Sequence, residues 1–330
     1  MTRPLPSRRR FFGLVSGLGL ASGMGLTAGL LGACSRGGQD ASEVVVSFND
    51  LSQPFFVAMR RELEDEAGKL GVKVQVLDAQ NNSAKQIADL EAAAVQGAKV
   101  VIVAPTDSKA LATATDELAE QGVTVISVDR NIVGGKTPVP HVGADNVAGG
   151  RAMADWVVKT YPNGARVVVI TNDPGSSSSI ERVKGVHDGL AAGGPAFKIV
   201  TEQTANSKRD QALTVTQNVL TSMHDTPPDV ILCLNDDMAM GALEAVRAAG
   251  FTPDKVKVLG FDAIPEALAR IKAGEMVASV EQNPGQQIRT ALRQAVAKIK
   301  TGAAPKSVSL IPVLITSANL AEASRIAEVK

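Results

Sequence analysis

From residue 44 onward one pattern repeats along the chain. An amphipathic helical stretch ends near a glycine, and a short apolar run begins within a few residues. Phe56, Met59, Leu63, Ala67 and Leu70 keep helical spacing before Gly71 and the run 72–77. Ile87, Leu90 and Ala94 do so before Gly97 and 100–103, and residues 111–118 precede Gly122 and 123–128. A glycine after a helix accepts the left-handed conformation that ends it. Alternation of helix with apolar strand predicts parallel βαβ units. The second half continues: helices at 148–161, 178–192, 209–223, 238–249, 264–273 and 284–299 separate strands at 166–170, 197–200, 230–234, 256–261, 277–280 and 307–314. About a dozen strands exceed one comfortable sheet. The expected fold class is therefore α/β, with two Rossmann-like doubly wound lobes and a cleft between them.

The first strand, 44–48, runs into a stretch that sets the chemistry. A β-branched run suits a strand buried on both faces. It ends in Asn49 and Asp50, then Ser52, Gln53 and Pro54. Pro54 suits the first helical turn, with Ser52 or Gln53 as its cap. Phe55 and Phe56 follow, an adjacent aromatic pair in a chain that is only 3% aromatic. In an open parallel sheet, ligands bind in the crevice outside the strands' carboxyl ends. Several other strands also end in hydroxyl-binding side chains: Asp129 with Arg130, Asn235 with Asp236, Asp262, and Gln282. Each has a plainer explanation. Asp262 and Asn235 could cap the helices that follow, Asp129 and Arg130 could be an exposed pair worth little, and the phenylalanines could be core. Their shared position at strand ends instead suits a polyol. Carboxylates and amides accept from hydroxyls, while arginine donates in a fork to neighbouring oxygens.

Residues 1–40 carry a different signal. Four arginines lie in the first ten residues, no acid precedes Asp40, and Ser7-Arg8-Arg9-Arg10-Phe11-Phe12 resembles a twin-arginine export signal. The uncharged, glycine-rich stretch 11–31 is long enough for an anchor, but Leu31-Gly32-Ala33-Cys34 resembles a lipobox, in which Cys34 becomes an acylated amino terminus. The expected organisation is a signal peptide at 1–33 and a tether at 34–43. Cleavage before Cys34 would leave 297 residues with 30 basic and 34 acidic side chains, a balance unlike that of nucleic-acid binders. That length suits two domains. Cys233, in an apolar run, is expected as a buried small hydrophobe.

These residues, taken together, carry a family resemblance. Pro54-Phe55-Phe56, Asp78-Ala79-Gln80-Asn81-Asn82, Ala104-Pro105-Thr106-Asp107-Ser108, Val128-Asp129-Arg130, Gly143-Ala144-Asp145-Asn146, Asn235-Asp236-Asp237-Met238-Ala239 and Gly260-Phe261-Asp262 resemble the ribose/galactose-type (type I) periplasmic sugar-binding proteins of ABC transporters. The resemblance implies two lobes joined by three hinge crossovers. The lobes would comprise 44–144 with 283–309, and 145–282 with 310–330. It implies that Phe55 and Phe56 pack on a sugar ring, and that Asp129, Arg130, Arg182, Asn235, Asp262 and Gln282 make polar contacts. Arg182 enters only through this resemblance; on its helix it reads as an ordinary surface arginine. Asn49, Gln53, Asp145 and a serine of 176–179 are further candidates, that serine run being otherwise a helix cap.

The departures point away from ribose. Gln53 and Ala104 stand where ribose binders resemble this chain with asparagine, and Ser207 lies near a usual aromatic. Within the family the chain resembles an inositol-binding member, which implies myo-inositol as ligand; ribose, another aldose or a sugar alcohol, or a sensor feeding a chemoreceptor, is the alternative. The implied partners are an ABC permease and its ATPase, with a lipid anchor as the membrane contact, a periplasmic location and a monomeric state; no cofactor or nucleic acid is implied. An enzyme on this architecture is disfavoured. No phosphate-cradling glycine loop follows the first strand, and His141, His187 and His224 are scattered without metal-ligand spacing. A sugar-responsive transcription regulator would carry a helix-turn-helix where this chain has its export signal.

Overall fold

A computed structural model describes residues 42–329. The twin-arginine motif, the lipobox with Cys34 and most of the expected tether lie outside the described residues. The described residues form one compact unit. Within it two six-stranded sheets share one plan. The first holds β1 (Val44–Phe48), β2 (Val74–Asp78), β3 (Val100–Val103), β4 (Thr124–Val128), β5 (His141–Ala144) and β11 (Val308–Leu310). The second holds β6 (Ala165–Thr171), β7 (Phe197–Thr204), β8 (Val230–Cys233), β9 (Lys257–Phe261), β10 (Ala278–Glu281) and β12 (Val313–Thr316). Their orders are β2-β1-β3-β4-β5-β11 and β7-β6-β8-β9-β10-β12. All pairings are parallel except β10 with β12.

Nine helices occur among the described residues: α1 (Pro54–Leu70), α2 (Ser83–Val95), α3 (Ala112–Glu120), α4 (Asn146–Thr160), α5 (Ser177–Gly193), α6 (Arg209–Ser222), α7 (Asp236–Ala248), α8 (Pro265–Lys272) and α9 (Pro284–Thr301). They cover both faces of the sheets, which explains the predominantly apolar runs: β1, β3 and β8 are buried at every position. Separate apolar clusters fill the two faces of the first sheet, one built on Val44, Val46, Phe48 and Leu63, the other on Val45, Leu90, Val101 and Leu118. The expected glycine stops are present, with Gly71, Gly97, Gly122, Gly250 and Gly274 all at positive φ.

In each sheet the strand order reverses beside the first strand of the unit, between β1 and β3 and between β6 and β8. Such reversals open a crevice at the carboxyl ends of the strands. The chain passes between the sheets three times: between β5 and α4, between β10 and α9, and between β11 and β12.

The last passage corrects the single strand expected over 307–314. Two strands form there, one in each sheet, separated by Ile311 and Pro312. Proline has no N–H to give a ladder, and Ile311 is 88% exposed. Strand β5 was not anticipated: four residues interrupted by Gly143 give no apolar run.

Candidate functional site

The ends of β1, β4, β6, β8, β9 and β10 converge on a cavity lined by Gln53, Phe55, Phe56, Asp129, Arg130, Asn172, Ser178, Arg182, Asn235, Asp262 and Gln282. Of the residues singled out, the strand-end carboxylates Asp50 and Asp236 are not in this wall, whereas Phe55, Phe56, Asp129, Arg130, Arg182, Asn235, Asp262 and Gln282 are. Gln53 joins them. Asn49 is buried at the end of β1 but is not in the wall. Asp145 is exposed and accepts from Ala148 N, capping α4 (2.8 Å).

Phe55 and Phe56 serve both purposes weighed for them. They are 4% and 2% exposed, pack in the core of the first sheet, and also face the cavity. Their rings meet edge to face at 5.1 Å, and the Arg130 guanidinium lies 5.9 Å from the Phe56 centroid. Pro54 opens α1 as expected, but neither Ser52 nor Gln53 caps it through its side chain. Asp50 Oδ1 instead accepts from Ser52 N (2.9 Å) and Ser52 Oγ (2.6 Å) and so shapes the turn.

Asp129 and Arg130 are not an exposed pair: they are 4% and 3% exposed. Asp129 sits at φ +61, a left-handed turn that aims its carboxylate off the end of β4. Its Oδ1 has no hydrogen-bond partner among protein atoms, nor has Arg130 Nε, which lies 3.9 Å from Asp129 Oδ2. Burial raises the Asp129 pKa, opposed by Arg182 and Arg130. Arg130 is held by Thr106 O and Asp173 Oδ2, each at 3.3 Å.

The second sheet supplies a matching set. Arg182 on α5 is 3% exposed and stacks 3.6 Å from the Phe261 centroid. Its Nε donates to Asn146 Oδ1 (2.9 Å) and its Nη1 to Leu234 O (2.6 Å), with Asp262 Oδ1 3.9 Å away. Two such bonds fix a guanidinium in one orientation while leaving other N–H groups to face the cavity. Asp262 at φ +112 accepts from Gln282 Nε2 (2.6 Å) rather than capping the next helix. Burial pushes its pKa up to about 7, opposed by Arg182 and Gln282. Asn235 does cap α7, accepting from Met238 N at 2.8 Å, and its Nδ2 donates to Ser207 O.

Behind Asp262 lies a buried support that single residues did not reveal. Asp236 is fully buried, and its carboxylate accepts from Ser279 Oγ (2.7 Å) and Ile264 N (2.9 Å). Ser279 Oγ in turn accepts from Ala263 N (3.0 Å). This fixes the unusual positive φ values of Asp262 and Ala263. Burial holds the Asp236 pKa well above the usual carboxylate range, and the nearby Asp262 charge adds to that.

Asn172, Asp173 and Ser178 were missed or only loosely indicated. Asn172 and Asp173 close β6 as Asn49 and Asp50 close β1, so the same positional rule applied to this strand would have found them. Asn172 Nδ2 donates to Ser207 Oγ (3.1 Å), its Oδ1 has no protein partner, and Ser207 Oγ donates to Asp173 Oδ2 (2.7 Å). The space near an expected aromatic thus holds a polar network instead. Arg182 had a readable signal too. Gly185 and Gly189 share its helical face, and a Cβ at Gly185 would lie 2.1 Å from Val147 O. A face that packs so tightly on α4 is not a surface.

A sequence model described as the periplasmic binding protein domain matches residues 44–304. The chain is 37% identical to the ribose import binding protein of Bacillus subtilis, over 72% of this chain and 75% of that one. It is 32% identical to a putative rhizopine-binding protein of Rhizobium meliloti, over 86% and 92%. Among solved structures it is similar to the Caulobacter myo-inositol binding protein bound to myo-inositol, with 90% identity, 87% and 97% coverage and a TM-score of 0.86. An ABC transporter solute binding protein from Bacillus halodurans with bound myo-inositol aligns at 25% identity, 86% and 98% coverage, and TM-score 0.80.

Proposed function

This chain belongs to the periplasmic binding protein domain family, and from that premise we propose that it captures myo-inositol by cleft closure and delivers it to the permease of an ABC importer. It is a binding protein and not an enzyme. The single observation that carries the choice of ligand is the 90% identity, over 97% of its length, with a protein bound to myo-inositol. The cavity chemistry agrees. A cyclohexane ring with a hydroxyl on every carbon offers donors and acceptors all round its rim and C–H groups on both faces. Phe55 and Phe56 would take a face, and Asp129, Arg130, Arg182, Asn235, Asp262 and Gln282 would take hydroxyls, with Gln53 at the edge.

Each charge-assisted hydrogen bond is worth about 1.5–3 kcal/mol. Half a dozen together, about 9–18 kcal/mol before association costs, are of the order that the roughly 8 kcal/mol of micromolar binding requires. The proposed lobes are 44–144 with 283–309, and 145–282 with 310–330. Asp129 and Arg130 belong to the first, Arg182, Asn235 and Asp262 to the second. Contacts that bridge the lobes exist only when the cleft is closed, so ligand shifts the population towards closure. The proposal further takes residues 1–33 as a twin-arginine export signal and 34–43 as a tether that begins at Cys34 as acylated anchor, with the protein acting as a monomer in the periplasm.

The test is calorimetric titration of residues 40–330 with myo-inositol, its epimers, ribose, galactose and glucose. Tight binding of myo-inositol with ribose silent is the expected result. Binding of ribose in preference would overturn the ligand and leave the transport role.

A further inference from the structure

Five hydrogen bonds join the turns of the two sheets directly. Ser108 N donates to Gly175 O and Ser177 N to Ser108 Oγ, each at 2.9 Å. Asn131 N donates to Ser177 Oγ (2.7 Å), while Asp173 accepts from Asn81 Nδ2 (3.1 Å) and Arg130 Nη2 (3.3 Å). Residues 81, 108, 130 and 131 follow strands of the first sheet, and 173–177 follow β6 of the second. In the strand order β6 lies far from β10 and β12, where the chain passes between sheets. The bonds therefore sit on the side of the cleft that has to open.

One serine of the run serves this contact rather than its helix. Ser176 is the N-cap of α5 yet makes no side-chain cap bond, and Ser177 spends its hydroxyl across the cleft.

Gly175 is the tightest point. Its backbone is not left-handed, so conformation alone would admit any residue. A Cβ there would lie 2.0 Å from Asp107 Oδ2 and 2.8 Å from Asp107 Cγ. The Asp107 carboxylate has little freedom to move aside, because its Oδ1 accepts from Lys109 N and Ala110 N, each at 2.8 Å.

We infer that these contacts form a clasp that draws the lobes together without ligand, and that Gly175 decides how completely they close. The inference rests on the cleft-closure reading proposed above. The clasp supplies part of the closing free energy, so it sets the fraction of molecules already closed. Apparent affinity scales with that fraction. Gly175 is thus an affinity-determining position that touches no ligand.

The experiment compares wild type, Gly175→Ala, Asp107→Ala and the double variant, each as residues 40–330. Small-angle scattering without ligand reads closure, and stopped-flow binding of myo-inositol reads association and dissociation. Gly175→Ala is expected to enlarge the ligand-free radius of gyration and to weaken myo-inositol binding roughly tenfold, chiefly through faster dissociation. Removing the Asp107 carboxylate removes the clash, so the double variant should return to within about threefold of Asp107→Ala alone. Ser177→Ala, which deletes one clasp bond and adds no atoms, should also speed dissociation, by about threefold. Wild-type scattering and kinetics in both Gly175→Ala and Ser177→Ala would overturn the clasp, as would a double variant no better than Gly175→Ala. If wild type ignores myo-inositol, the ligand assignment falls, and the scattering comparison still decides the clasp.

Discussion

Replacing Arg182 by methionine tests the site most directly. Methionine keeps an unbranched apolar stem against Phe261 and removes the charge. Two effects then add. The first is loss of a charge-assisted bond to the ligand, about 1.5–3 kcal/mol. The second acts through the carboxylates. Arg182 is the largest influence opposing the upward push of burial on both Asp129 and Asp262. Without it both carboxyls would shift further towards the neutral form, and a neutral acceptor makes a hydrogen bond about half as strong. The sum is about 3 kcal/mol or more, at least two decades in Kd. Arg182→Lys should fall between, because an ammonium keeps the charge but lacks the planar fork that reaches Asn146 Oδ1 and Leu234 O together. Calorimetric titration with myo-inositol measures both, with a thermal melt to show that each variant is folded. A folded Arg182→Met protein that binds within about threefold of wild type, under 1 kcal/mol, would refute the assignment of Arg182 as a contact.

Other predictions test the support and the surroundings. Asp236→Ala leaves the donors of Ser279 and Ile264 buried without partners, so urea unfolding should show a loss of about 2–4 kcal/mol; less than about 1 would make that support dispensable. Asp262 has a folded pKa raised to about 7, so the folded state holds a proton that the unfolded state releases near pH 4. Its contribution is therefore fully present below about pH 4 and is lost as pH rises towards 7, at up to about 1.4 kcal/mol per pH unit. Asp262→Asn should remove that decline from the ligand-free melting curves; an unchanged pH profile would count against it. Cys34→Ala should abolish incorporation of labelled fatty acid, and continued labelling would end the lipobox assignment.

Much of the fold was legible because βαβ units write themselves into the chain. Strands buried on both faces must be apolar throughout, helices lying on a sheet must be amphipathic, and glycine ends them; that is enough to predict two doubly wound sheets. Strand-end chemistry was legible for the same reason, since a parallel sheet delivers all its carboxyl ends to one crevice. It identified Asp129, Arg130, Asn235, Asp262 and Gln282, and the adjacent phenylalanines with them. The rule failed where the local pattern was ambiguous. Asn172 and Asp173 stand before a proline and a serine run, and look like a helix start. β5 and the β11–β12 pair are too short to show a period.

Residue order alone determined which strand ends reach the crevice. Tertiary structure decided their electrical state and their partners, because burial and distance are properties of the packed molecule. Only there does Asp262 acquire a pKa near 7, Arg182 become a buried fork stacked on Phe261, and Asp236 turn from a strand-end carboxylate into the hidden brace of its neighbour. Only there does Gly175 matter, since the atom that excludes its side chain lies 68 residues away in the chain, in the turn after β3 of the other sheet.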